Sequence, residues 1–302
     1  MADVGEIMTD STIPGETVRE QIRKAADSLT ATERRLSALI LSNYPFAGLE
    51  PIQVIATSSN VSAPSISRFV SKLGYQGLQE FQQQLIKELR QGQKSPLDLR
   101  PTTSGITDEF FDNFIQKSTE LLKASAGAIT AAQFERVGSL LSDPKSDIYT
   151  LGGRISDLVA QYLSRHLKQI RAGVHQVSSE DDWWPEYIMR MRQRDVLVLV
   201  DFRRYQRSLE EFAERASKHC GLKIILITDR WMSPISKYAS EVIALHIENE
   251  TAFDSNVAAF ALIEALITRV AEANWPQASQ RIKKWDSLRT SVSHQREQVR
   301  ES

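Results

Sequence analysis

Apolar positions recur every three or four residues between Thr17 and about Leu89: Val18, Ile22 and Ala25, then Leu36, Leu39 and Ile40, then Leu78, Phe81, Leu85 and Leu89. That spacing predicts helices throughout, and no stretch there alternates with period two for long enough to make a strand. Residues 91–106 gather Gly, Ser, Thr and Pro without periodicity and read as a linker. Residues 1–16 are polar and acidic and read as a flexible leader. Beyond the linker the pattern changes. Residues 107–124 predict a helix built on Phe110, Phe111, Phe114, Leu121 and Leu122, and residues 131–141 predict another. Short β-rich runs at 147–151, 174–177, 195–200, 222–228 and 241–247 then alternate with helical stretches at 156–171, 185–192, 208–219 and 233–238. A long apolar helix over 254–273 closes the series. Runs as apolar as VLVLV and IILIT suit a parallel sheet covered on both faces. The expected fold is therefore α plus α/β, with an all-helical head at 17–90 and an αβα sandwich with a five-stranded parallel sheet at 107–275. A basic amphipathic tail follows at 276–302. Its Ile282, Trp285, Leu288 and Val292 share one helical face, suited to packing on the same chain or a partner subunit.

Composition narrows the picture. A length of 302 residues is about twice that of a typical domain and agrees with two. With 41% hydrophobic and 25% charged residues the chain is globular rather than mostly disordered. Lys and Arg number 37 against 38 Asp and Glu, a formal net charge of −1, so a uniformly basic nucleic-acid coat is excluded and any basic footprint is local. It is local: from Thr17 to Lys94, ten basic residues stand against six acids. The single cysteine, Cys220, rules out an intramolecular disulfide framework and a multi-cysteine metal site. No apolar run approaches the roughly 18 residues of a membrane helix, and the start lacks the basic-then-apolar layout of a secretory signal. A soluble, cytoplasmic protein with no cofactor and no membrane partner is expected.

The most informative stretch is PIQVIATSSNVSAPSISRFVSKL, residues 51–73. A short helix from Ile52 to about Ser58 is followed by the polar turn Ser59-Asn60-Val61, with Val61 as its apolar plug. Ser62 stands where an N-cap is wanted, and Pro64 suits the first helical turn. In the second helix Ile66, Phe69, Val70 and Leu73 point one way, while Ser65, Arg68 and Lys72 point another. Two helices joined by a tight turn, the second short-polar and basic outside, make a helix-turn-helix. Small residues at its start (Ser62, Ala63, Ser65) allow close approach to base edges. Arg68 can fork onto guanine or a phosphate, and Lys72 can reach a phosphate as a point charge. The competing reading of these residues is a helical interaction domain whose Arg and Lys are merely solvated.

The runs LTATERRLSALILSNY and IQVIATSSNVSAPSISRFVSKLGYQGLQEFQQQL resemble the N-terminal helix-turn-helix of the RpiR/MurR family of bacterial transcriptional regulators. Val61, Ser62, Ser65, Ile66, Arg68 and Phe69 meet the first part of the family pattern. Lys72, Leu73, Gly74, Tyr75, Gly77, Leu78, Glu80 and Phe81 meet the second. The resemblance implies binding to a double-stranded DNA operator by a homodimer or homotetramer, with Ser62, Ala63, Pro64, Ser65, Arg68, Lys72 and Tyr75 as the DNA-binding candidates. It also implies that the second domain is a sugar isomerase (SIS) domain sensing a phosphorylated sugar or a related small anionic metabolite.

Ligands of open parallel sheets bind beyond the carboxyl ends of the strands. The first such candidate is Gly152-Gly153-Arg154-Ile155-Ser156, where glycines let a backbone come close with its N–H groups outward and Arg154 and Ser156 add a charge and a donor. A dinucleotide site is a weak alternative because no third glycine stands at the expected place, and a plain strand-to-helix turn is another. The SIS pattern G-x-G-x-S is matched at Gly152 and Ser156, with Arg154 replacing its second glycine. The second candidate is the loop from Asp201 to Ser208. The family's serine-rich phosphate cradle is missing there, but Arg203, Arg204 and Arg207 with Tyr205 could hold an anion by charge-assisted hydrogen bonds. The alternative is that these arginines pair with Asp201, Glu210, Glu211 or a second subunit. Thr228 and Asp229 end the fourth strand on the same rim, and Asp254 and Ser255 are either rim groups or a helix cap. Trp183-Trp184-Pro185 reads as core or interface. Catalysis reads poorly: His166, His175, His219, His246 and His294 are dispersed, and His219 beside Cys220 makes no nucleophilic dyad. A sugar-phosphate isomerase or aminosugar-processing enzyme with a helical appendage is the alternative class. A regulator whose second domain only oligomerises is another.

Overall fold

The computed structural model of the chain describes residues 15–101, 106 and 108–300, the last eleven by backbone only. The leader expected at 1–16 therefore lies almost wholly outside the described residues, as does Val292 as a side chain. Two compact units meet between Glu88 and Leu89.

The first unit is helical. Helices α1 (Val18–Ala25) and α2 (Ala31–Ser42) each begin with a reciprocal capping box, Thr17 with Glu20 and Thr30 with Glu33, which satisfies backbone N–H groups that a helix start leaves open. Helices α3 (Ile52–Ser59) and α4 (Ala63–Lys72) follow, then α5 (Leu78–Gly92), within which the boundary between the units falls. The corner between α3 and α4 turns on Asn60, which adopts the left-handed region at φ 52°; Asn tolerates that region better than most side chains. Val18, Ile22, Leu36, Ile40, Ile55, Ile66, Phe69, Val70, Phe81 and Leu85 are buried together as the core. Glu88 is buried too, and its carboxylate accepts from the Val18 N–H at 2.9 Å and from the Tyr44 hydroxyl, the donors a carboxylate out of water requires.

The second unit begins with the end of α5. The stretch read as linker is not wholly irregular: it holds the end of α5 and a one-turn helix, α6 (Pro96–Leu99). Ser95 caps α6 in a box with Asp98, and Pro96 is preset for its first turn. Four residues were too few to show a period. Helices α7 (Phe110–Ala128) and α8 (Ala131–Ser142) precede strand β1 (Ile148–Gly152). The remaining elements are α9 (Asp157–Ile170), β2 (Val174–Gln176), α10 (Trp184–Arg190), β3 (Val196–Asp201), α11 (Arg207–Cys220), β4 (Lys223–Asp229), β5 (Glu241–Leu245), α12 (Val257–Ala273) and α13 (Trp275–Arg300). A short 3-10 turn at Pro234–Tyr238 stands between β4 and β5.

The five strands run parallel in the order β2-β1-β3-β4-β5. Alternation assigns each strand residue to a face. Val196, Val198 and Val200 join Val159, Leu163, Ile263 and Leu266 in one core beneath α8, α9 and α12. Leu197 and Leu199 join Trp184, Leu209 and Phe212 in the other, beneath α10 and α11. The sheet is thus covered on both faces, as its apolar runs required. Strand order reverses between β1 and β3, where Gly152 is level with Val200, and the loops leaving these two strands diverge to opposite faces. That divergence opens a crevice.

One expectation about an apolar face needs correction in part. Of the residues on which α7 was expected to be built, Phe110, Phe111 and Phe114 are exposed, and the helix is seated through Leu121 together with Ser118 and Ser125. In α13 Ala278 is buried and Ile282 half-buried, while Trp285 and Leu288 are exposed in the single chain. No helix among the described residues is long and apolar enough to cross a membrane.

Gly152 is where the β1–α9 turn is tightest. A Cβ there would lie 2.5 Å from the Asp157 backbone, which cannot step aside as a side-chain tip would. Gly152→Ala is expected to destabilise the chain by about 1–3 kcal/mol, read as a lowered midpoint in urea or thermal unfolding.

Candidate functional site

In the first unit the geometry of interest is the outer face of α4. Its inner face is anchored by Ile66, Phe69 and Val70, so Ser62, Pro64, Ser67, Arg68 and Ser71 are turned out. Ser62 sits at the N-cap position, but its side chain caps no backbone N–H; its hydroxyl lies 2.9 Å from the Ser65 hydroxyl. The Arg68 guanidinium donates to the same Ser65 oxygen at 3.0 Å. Ser62, Ser65 and Arg68 therefore form one exposed row, with Ala63 and Pro64 beside its start.

The other two candidates have different surroundings. Lys72 donates to the Ser28 carbonyl at 2.6 Å and to Glu33 at 3.0 Å, so the charge expected for a phosphate is tied within its own unit. Tyr75 turns partly inward. Its hydroxyl donates to Gln21 at 2.6 Å, its ring meets Phe81 edge-on at 5.5 Å, and burial pushes its pKa up to about 12.

In the second unit a cleft of about 500 Å³ opens at the carboxyl ends of β1 and β3. Gly153, Arg154, Ser156, Asp201, Arg203, Arg204 and Asp254 all line it, so residues from three separate loops of the expected rim are brought together. Lys94, Gln206 and Asn256 also line it. Gln206 falls within the loop already expected on the rim, whereas Lys94 and Asn256 were missed because a lone polar residue carries no periodic signal.

The glycine turn is not the open N–H cradle it was expected to be. Gly152 N–H donates to Asp157 at 2.9 Å, and Gly153 N–H donates to the Val200 carbonyl at 3.1 Å and the Ser156 hydroxyl at 2.9 Å. Ser156 in turn donates to the Val200 carbonyl at 2.6 Å. These groups lock β1 to β3. Arg154 alone projects from this turn as an exposed charge.

Asp229 is a second correction. It is fully buried, does not line the cleft, and organises the loops behind it. One carboxylate oxygen accepts from the Tyr205 hydroxyl at 2.6 Å and the Trp231 N–H at 3.0 Å; the other accepts from the Arg203 N–H at 2.6 Å. Tyr205, expected to face a ligand, is thereby turned to Asp229, and burial raises its pKa well above the ordinary value. Thr228 is buried as well, its hydroxyl accepting from the Ser233 N–H at 3.1 Å. Ser255 is a local cap, accepting from the Val257 N–H at 3.3 Å. Arg204 is exposed, adopts the left-handed region at φ 67°, and donates its N–H to the Gly92 carbonyl at 2.8 Å.

What faces the cleft is a concentrated charge arrangement. The Arg203 side chain is 2% exposed, lies 4.1 Å from the centroid of the Trp231 ring, and makes an ion pair with Asp254 at 3.3 Å. Burial pushes Asp201 and Asp229 up to about 7 and Asp254 up to about 6; the Arg203 charge only partly offsets this for Asp229 and Asp254. The Ser233 hydroxyl donates to Asp201 at 2.5 Å. Among the described residues no group of three or more His, Cys, Asp or Glu is placed to hold a metal ion. Trp184 is a core residue, packed on Phe212 at 4.8 Å, while the neighbouring Trp183 is exposed.

Fold and site together define a helix-turn-helix unit joined to an open α/β body with a cleft at its strand ends. Comparison with known families makes the assignment specific. Residues 16–92 match the helix-turn-helix domain of the rpiR family, and residues 140–269 match the SIS domain. The chain thus pairs a helix-turn-helix domain of rpiR-family type with a SIS domain. Its curated relatives include the bifunctional protein glk of Paraburkholderia xenovorans (strain LB400), 28% identical over 264 residues, 84% of this chain and 40% of that protein. The chain thus spans about two fifths of the length of that relative. The HTH-type transcriptional regulator HexR of Escherichia coli (strain K12) is 24% identical over 237 residues, covering 77% of this chain and 78% of HexR. A solved structure of the Vibrio vulnificus NanR protein complexed with ManNAc-6P superposes with a TM-score of 0.52 at 18% identity, covering 89% of this chain and 97% of that one. At that identity the likeness is one of fold.

The acids behind the cleft set a pH dependence. Asp201 has a folded pKa of about 7 against an ordinary 3.8, so between these values the native chain holds a proton that the unfolded chain has lost. Its contribution to stability is fully present below about 4 and is lost as pH rises through 7. Asp201→Asn, which keeps the shape and removes the charge, is expected to flatten that fall, measured as unfolding free energy across pH 4 to 8.

Proposed function

We propose that this protein is a DNA-binding transcriptional regulator that presents the outer face of α4 to the major groove and responds to an anionic sugar derivative at the β1–β3 cleft. The observation that carries this reading is the row Ser62–Ser65–Arg68, exposed on a helix whose opposite face is fully buried. Such a helix is rigidly mounted and close-approaching, and its one arginine is free of acidic partners at its tip. The match of residues 16–92 to the rpiR-family helix-turn-helix domain and the likeness to HexR support it. Ala63 and Pro64 stand at the groove-entering end. Lys72 and Tyr75 act on DNA indirectly, by holding α4 against Ser28, Glu33 and Gln21. A homodimer or homotetramer supplies two heads for a palindromic site.

The effector half rests on the cleft itself, whose cations Lys94, Arg154, Arg203 and Arg204 suit an anion, and on the NanR neighbour, which is complexed with ManNAc-6P. Its binding changes operator affinity only so far as it favours one arrangement of the heads over another. The chain runs as a sensor, not an enzyme. Asp201 and Asp229 have pKa values near those of working acid–base groups, but each is spent holding a loop: Ser233 for one, Tyr205, Trp231 and Arg203 for the other.

An unbiased selection of duplex oligonucleotides with the full chain is expected to enrich one two-fold-symmetric sequence; enrichment of none sinks the reading. Arg68→Ala is expected to weaken binding to that sequence by about 1–3 kcal/mol and relax the preference at one base pair in each half-site, measured by fluorescence anisotropy. Coupled assays across phosphosugars are expected to show no turnover.

A further inference from the structure

We infer that the anionic group recognised in the cleft is a carboxylate, seated on the Arg203 guanidinium in place of the Asp254 side chain that now faces it. This rests on the effector reading above and names its ligand class: a small sugar acid of the uronate kind.

The first observation is an unmet donor set. None of the three guanidinium nitrogens of Arg203 completes a hydrogen bond, although all are buried. Asp254 stands at 3.3 Å from Nε, close enough for charge but without the geometry of a bond. A buried polar group left without hydrogen bonds is costly, and nearly every such group in a native protein has a partner or awaits one. The guanidinium is also held ready. Its root is pinned through the Arg203 N–H to the buried Asp229, and Trp231 covers one face of its plane. Only its edges remain to receive a ligand.

The second observation decides between anions. A phosphate needs donors around three oxygens and commonly takes them from backbone N–H groups and hydroxyls. Here the N–H groups of Gly152, Gly153, Arg203 and Arg204 are all engaged within the protein, as are the hydroxyls of Ser156 and Ser233. Arg203 also stands beside two acids already, Asp229 at its backbone and Asp254 at 3.3 Å from its side chain, which disfavour a second negative charge on the ligand. A planar monoanion with two oxygens matches the edge of a guanidinium, fork to fork.

The third observation is that Asp254 is a poorly bound stand-in. Its loop passes through a left-handed residue, Glu250 at φ 51°, and leaves the neighbouring Phe253 72% exposed. Burial lifts Asp254 despite the arginine beside it, so the pair does not recover what its desolvation costs. A ligand carboxylate that made both hydrogen bonds would release Asp254 to water. Gln206 and Asn256 remain for sugar hydroxyls, and a cleft of about 500 Å³ has room for a monosaccharide.

The test is calorimetric titration of the full-length protein at millimolar D-glucuronate, glucose 6-phosphate and glucose, which differ at C6 as carboxylate, phosphate and hydroxyl. Binding of glucuronate but not glucose is expected. Asp254→Asn should tighten glucuronate about tenfold by removing the competitor. Arg203→Lys, which keeps the charge and loses the fork, and Arg203→Met should both lose it, with melting curves confirming that each variant is folded. Arg203-dependent binding of glucose 6-phosphate without glucuronate overturns the carboxylate and leaves the effector reading standing. Weaker glucuronate binding by Asp254→Asn overturns the exchange. Binding of none of the three sugars to either the native chain or Asp254→Asn overturns the inference, while the operator selection reports separately on the regulator.

Discussion

A parallel sheet covered on both faces leaves a polar side chain no place except beyond the ends of its strands, and the second unit is arranged around that restriction. In β3 the valines serve one core and the leucines the other, so the first side chain able to carry charge is Asp201, the last residue of the strand. Asp229 ends β4 in the same way, level with the same edge. Both remain out of water. Their loops are therefore obliged to supply donors, and those donors fix the loops. Asp229 gathers a backbone N–H from each of two loops and a tyrosine hydroxyl; Asp201 takes a serine.

Arg203 follows from that hub. With its backbone N–H held by Asp229, its side chain is directed beside Trp231 and toward the cleft rather than out to solvent. Its neighbours Arg154 and Arg204 are exposed and add general attraction for an anion, screened by salt. Arg203 is buried, where screening by salt is weak. The first unit solves a related problem differently. There the charge of Arg68 stays on the surface, and rigidity comes from the apolar face beneath it and from ties such as Lys72 to Glu33.

Much of this was legible from spacing. The five strand runs fall within a residue or two of the observed strands, because continuous β-branched runs have no other comfortable home. The helix-turn-helix was legible because its turn, its proline and its inward residues occupy fixed offsets, and all sit as those offsets require. Less legible were groups whose role depends on a distant partner. Lys72 reads as a phosphate contact until Ser28 and Glu33 are placed beside it. Gly152, Gly153 and Ser156 read as a ligand cradle until Val200 arrives from β3 and absorbs their hydrogen bonds. The phenylalanines of α7 read as core because periodicity reports a face, not what covers it.

The sequence by itself determined the two-part organisation, the parallel sheet, the helix-turn-helix and the rim on which the loops meet, since each depends on local propensity or on the period of apolar residues. Only the tertiary structure decided which polar groups are free. Hydrogen bonds are saturable and short-ranged, so whether a serine, glycine or tyrosine can meet a ligand depends on what the fold has already placed within about 3 Å of it. On that criterion Tyr205 and Thr228 are committed inward, while the Arg203 guanidinium is buried and still without a hydrogen-bond partner.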